Sequence, residues 1–168
     1  MKIPLFHPDA FIRFTYPLVA PFFSRLFVTL MVPLTLFGLF LVSRQWDAFV
    51  SQFMYFVSLE GFAIYGLSLL VLKVFHELGH AWMAAKYGVR VPVIGVAFMM
   101  FMPIMYTDTT NAWRLRSARQ RLMIDFGGIF VELAIASFAT LAWVFLPDGS
   151  LRSIAFVTAT TSWIMSVV

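Results

Sequence analysis

His76, Glu77 and His80 stand as H-E-x-x-H within FHELGHAWMAAKYG. On a helix, residues four apart project from one face about a turn from each other, so two imidazoles at that spacing can reach one metal ion. Glu77 directly follows the first histidine, where its carboxylate can accept a proton from water acidified by the metal. The pattern predicts bound Zn2+ with His76 and His80 as ligands and Glu77 as catalytic base. The chain has no cysteine, so histidines and carboxylates are the strong zinc donors on offer. Gly79, inside the motif, permits close approach of another backbone.

A bare five-letter match is a weak signal, because soluble helices carry it by chance. The setting strengthens it. The motif ends an apolar stretch, and a charged residue at bilayer depth costs about 2.5–3.5 kcal/mol on the insertion scale, so polar groups there line a cavity or bind something. A catalytic zinc takes three protein ligands and keeps one position open, leaving one ligand to be found. Asp108 follows an irregular segment and could turn toward the metal, but capping the turn from Thr109 to Arg114 is its simpler role. Asp125 is expected to neutralise nearby arginines. Glu132 lies inside an apolar span, where a paired structural role is expected. Asp148 with Gly149 resembles a metal-binding aspartate-glycine pair, yet charge orientation puts it opposite the histidines, where a surface turn is expected.

The elements that must hold this site are membrane helices. The chain is 61% hydrophobic, 18% aromatic and 12% charged, far from soluble averages. An all-α polytopic membrane protein is expected, with about four transmembrane helices plus a re-entrant loop or β-hairpin after the zinc helix. Residues 1–25 read as an interfacial N-terminal arm, extended because Pro4, Pro8, Pro17 and Pro21 disfavour a long helix. No small-residue cleavage site follows the first apolar run, so the arm and first span stay attached. Residues 26–168 form the membrane-embedded part. Its spans are Leu26 to Ser43, a stretch from Ala48 whose helix starts near Gly61 and stops at Gly88, Phe126 to Leu146, and Ile154 to Val168. Between them, Val91 to Thr107 is uncharged but holds Pro92, Gly95 and Pro103, which points to the loop or hairpin. Irregular backbone at membrane depth survives only when buried in protein or lining a wet cavity.

The net charge is +4, but Arg114, Arg116, Arg119 and Arg121 flank an apolar span, which points to anionic lipid and not to nucleic acid. Every lysine and arginine except Arg44 and Arg152 falls on one side of this arrangement. That side is cytoplasmic by the positive-inside rule, giving a cytoplasmic N-terminus in the cell (inner) membrane.

These residues resemble the site-2 protease type of membrane zinc metallopeptidases, and within it the bacterial peptide zinc metalloproteases that accompany membrane-fusion adaptors of secretion systems. The resemblance runs through IPLFHPDAF, FHELGHAWMAAKYGVRVPVIGVAF, MPIMYTDTTNAWRL, RQRLMIDFGGIFVEL and SWIMSVV. It implies that His76 and His80 bind zinc, that Glu77 activates water, and that Val91 to Thr107 is a membrane-embedded loop beside the site. It also implies a third ligand, an aspartate in an asparagine-proline to aspartate-glycine motif after SWIMSVV, so the chain is expected to be a fragment cut before it. The expected function is hydrolysis of a peptide bond in a membrane-embedded or exported peptide, with the bilayer and a secretion adaptor as further partners. The alternative is a non-catalytic membrane component of a peptide export or maturation assembly. A metal transporter fits less well, because no second ligand-rich span appears.

Overall fold

A computed structural model describes residues 2–99 and 102–167. The N-terminal arm begins as strand β1 (Lys2–Phe6) and continues as helix α1 (Asp9–Val19) and a 3-10 turn, Ala20–Phe23. The extended arm expected from its prolines is therefore corrected over residues 9–19. Pro8 sits at the helix N-cap, where its missing N–H costs no helical bond and its carbonyl accepts from Ile12 N–H at 2.8 Å, and Asp9 opens the first turn and pairs with Arg13 at 3.2 Å. Pro17 removes one bond from a helix that the burial of Ile12 still stabilises.

Next come α2 (Arg25–Arg44), the short α3 (Trp46–Ser51), a 3-10 turn (Gln52–Val57) and the long α4 (Leu59–Lys86). α2 carries Pro33 in its interior, and α4 starts two residues before the expected Gly61. At about 1.5 Å per residue, the 28 residues of α4 cover about 42 Å, more than a ~30 Å hydrocarbon core. Strands β2 (Ile94–Met99) and β3 (Met102–Thr107) form a hairpin, one of the two alternatives expected for this segment, and its connecting residues 100–101 lie outside the described residues. A 3-10 turn (Thr110–Arg114), α5 (Ala118–Asp125), α6 (Gly127–Phe145) and α7 (Ser150–Val167) complete the chain.

Among the described residues, three helices, α2, α4 and α6, are long and apolar enough to cross a membrane. The expected count of about four is thus met by three. The fourth candidate, α7, carries Arg152, Thr158, Thr160, Thr161 and Ser162. The all-helical expectation is also modified, because β1 joins the hairpin in an antiparallel sheet of order β1-β2-β3.

The chain forms two compact units. One combines residues 1–24 and 73–131, and its apolar centre includes Ile12, Phe23, Trp82, Met83, Ile94 and Ile124. Trp82 donates its indole N–H to the Thr15 hydroxyl at 3.0 Å, and Lys86 donates to the Phe23 carbonyl at 2.7 Å. Thus the arm is bound by hydrogen bonds to the C-terminal turns of α4. The helix ends in a Schellman arrangement: Val89 N–H reaches the Ala84 carbonyl at 2.9 Å, and Gly88 N–H the Ala85 carbonyl at 3.0 Å. Gly88 has φ +70°, the left-handed conformation this cap needs, so the stop signal expected at Gly88 has this physical cause.

The other unit holds residues 25–72 and 132–168. Aromatic rings of Phe49, Phe53, Phe56, Trp143 and Phe156 pack edge to face or tilted, with centroids 5.1–5.9 Å apart. Where lipid leaves no water to compete, side-chain hydrogen bonds join helices. Thr35 meets Ser137 at 2.7 Å, and Trp163 donates to Thr140 at 3.1 Å. Arg152 donates to Gln45 Oε1 at 3.0 Å, pairs with Asp148, and stacks 4.7 Å from the Trp143 ring centroid.

Candidate metal centre

His76 and Glu77 lie on one turn of α4 and His80 on the next, where leucine- and alanine-rich sequence favours the helix. Their spacing has the expected geometric result: His76 Nε2 and His80 Nε2 face each other at 3.0 Å, with rings at 75°. His80 Nδ1 stands 2.8 Å from the Ile124 carbonyl oxygen. A carbonyl only accepts, so Nδ1 of a neutral His80 carries the proton and Nε2 presents its lone pair. Metal-ligating histidines are commonly oriented in this way, through the nitrogen that does not bind the ion.

The Ile124 carbonyl lies at a helix junction: α5 ends at Asp125 and α6 begins at Gly127, with Phe126 between them donating its N–H to the Leu122 carbonyl at 2.9 Å and accepting from Phe130 N–H at 2.9 Å. Gly79 and Gly127 pack backbone to backbone: a Cβ on Gly127 would stand 2.5 Å from the Gly79 carbonyl oxygen, and one on Gly79 would strike the Gly127 carbonyl. The next residue, Gly128, lies against the His76 imidazole, and a Cβ there would sit 2.6 Å from Nε2. The partner backbone expected for Gly79 is therefore the start of α6.

Glu77 is 6% exposed. Its backbone carbonyl accepts a hydrogen bond from the Thr107 hydroxyl at 3.0 Å, which ties the end of β3 to the histidine helix. Asp108 accepts from Thr110 N–H at 3.0 Å, the capping role expected for it, although one residue ahead of the assigned N-cap Thr109. Asp125 ends α5, and Arg121, one of the arginines it was expected to neutralise, donates to the Leu115 carbonyl at 2.5 Å. Glu132 is fully buried in the other unit, and Asp148 pairs with Arg152. Among the described residues, no group of three histidines or carboxylates is gathered for a metal.

The donor set fits zinc as two of its three protein ligands: imidazole nitrogens converging from one helix face, one of them tautomer-fixed. Sequence reading missed Thr107, the Ile124 carbonyl and Gly128. The Gly127-Gly128 pair was the available signal, since two adjacent glycines opening a spanning helix cost helix propensity and need a packing reason.

The sequence model of peptidase family M50 matches residues 62–168, which include the histidine helix, the hairpin and the glycine pair. The chain belongs to peptidase family M50. No curated protein and no solved structure matches. M50 is the site-2 protease family, so the resemblance carried by HELGH and its surroundings holds. Membership together with three apolar helices makes this M50 chain a multi-pass membrane protein.

Proposed function

We propose that this chain is an intramembrane zinc metallopeptidase that hydrolyses a peptide bond in a membrane-embedded or exported peptide. The observation that carries the reading is the pair of Nε2 atoms 3.0 Å apart, with the His80 tautomer set by the Ile124 carbonyl. His76 and His80 would hold zinc, which when bound supplies Lewis acidity to the scissile carbonyl and to water. Glu77 takes the proton that water loses as its oxygen bonds to the carbonyl carbon, then gives that proton to the amine nitrogen as the C–N bond breaks. Its burial keeps the side chain away from bulk water.

A substrate helix must unwind locally, because its carbonyls are otherwise bonded within the helix. β3 is an edge strand whose last residue is tied to the Glu77 carbonyl, so an unwound peptide pairing along β3 would be led toward the histidines. In this reading the hairpin is the membrane-embedded loop beside the site, and the N-terminus and HELGH face the cytoplasm across the inner membrane.

The test is metal content and peptide cleavage by the protein in membranes. Stoichiometric zinc and cleavage are expected, and Glu77→Gln should keep the zinc while lowering cleavage by at least about a hundredfold. Cleavage unchanged by that substitution would end the peptidase reading. Zinc without cleavage in the parent chain would favour the non-catalytic assembly role, which the absence of a third gathered ligand among the described residues also supports.

A further inference from the structure

Just beyond the C-terminus of α4 the chain folds around a cavity of about 310 Å³, lined by residues 87–90 and by Asn111, Arg114 and Leu115. Among the described residues, no acidic one lines it. One wall is fixed to the other by the Asn111 amide, which donates to the Arg90 carbonyl at 3.1 Å. Arg90 and Arg114 thus both line one concavity, and among the described residues neither forms an ion pair. Like charges around a common space are stabilised when an anion occupies it.

The surroundings favour this reading. Helix C-termini are partly negative, but here the carbonyls of Ala84 and Ala85 are already capped by Val89 and Gly88 N–H. Burial, then the neighbouring Tyr87, pushes the Tyr16 phenol above its ordinary value, so it adds no negative charge. A Cβ on Gly88 would meet nothing within 4 Å, so the cavity is open at its rim. α4 is one of the three helices able to cross the membrane, which places the cavity at headgroup depth. Trp113 beside it is 69% exposed, with the Arg114 guanidinium 5.7 Å from its ring centroid, an arrangement suited to the interface.

We propose that this cavity seats the phosphate of an anionic phospholipid headgroup, clamped between Arg90 and Arg114. Guanidinium forks match phosphate oxygens in pairs, and the volume falls at the small end of the ~300–1,000 Å³ common for ligand pockets. The site is independent of the metal centre.

Native mass spectrometry of the detergent-released chain tests it, with phosphatidylglycerol, phosphatidylcholine or inorganic phosphate added separately. Retained phosphatidylglycerol is expected, weakened about tenfold or more in Arg90→Gln/Arg114→Gln. Arg116→Gln/Arg119→Gln removes the same charge outside the cavity and should change retention by less than about threefold. Gly88→Asn, which keeps the left-handed backbone and places a side chain at the rim, should weaken retention without altering charge. Equal losses in the two arginine pairs would show diffuse attraction and overturn the site. Equal retention of phosphatidylcholine would overturn the selection for an anion. Inorganic phosphate that binds as tightly and displaces the lipid would overturn the lipid as its source.

Discussion

Two imidazoles four residues apart converge here because the structure around them removes alternatives. His80 is turned by a carbonyl and His76 is backed by a glycine. Gly128→Ala would set a methyl group against the His76 ring while raising helix propensity by about 1 kcal/mol. Zinc or cobalt affinity is therefore expected to fall about 10- to 100-fold, the usual cost of disturbing a ligand's support, with helix content unchanged by circular dichroism. An alanine variant that binds cobalt with the parent's affinity and spectrum would show that the ring does not depend on this contact. The ligands were legible in the sequence because their spacing is local. Gly128 was not, since its role depends on a residue 52 positions away, 128 − 76, being brought against it.

At the scale of elements, local signals specify ends better than partners. The stop of α4 was readable because Gly88 combines sequence position with a backbone requirement, φ +70°. Gly88→Ala forces a Cβ into that conformation and should destabilise the chain by about 1 kcal/mol, whereas Gly88→Asn should cost less; thermal unfolding in detergent compares them. An alanine variant as stable as the parent would mean the cap contributes little. The hairpin was legible from Pro92, Gly95 and Pro103, but the strand added by residues 2–6 was not. Its register, Ile3 opposite Val96 and Pro4 opposite Gly95, depends on a pairing that no periodicity in a proline-rich arm announces. Helix α1 was missed for a related reason. Prolines at its N-cap and interior lowered its intrinsic propensity, while the burial of Ile12 that offsets them is tertiary.

For the molecule as a whole, apolar composition indicated a membrane protein at once, because no soluble fold hides so much hydrophobic surface. The number of crossings was less legible: α7 sets a run of buried hydroxyl residues, Thr160, Thr161 and Ser162, among its apolar residues. Orientation can be measured directly because the chain has no cysteine of its own. Single cysteines placed at Ser51, Ser117 and Gly149 are expected to react with an impermeant maleimide from outside, inside and outside respectively, following the lysine and arginine distribution. Labelling of Ser117→Cys from outside in intact cells would reverse the assignment.

The contact between Gly79 and Gly127 has a consequence for how this chain can vary. Gly66, in the same helix, has no atom within 4 Å of where a Cβ would be, so nothing packed there resists a larger residue. More than three turns farther on, Gly79 and its partner Gly127 on α6 each occupy the space the other's side chain would need. A larger residue at either one cannot be accommodated by enlarging or shrinking the other, so the two positions have no compensatory route and are closed to gradual evolutionary drift.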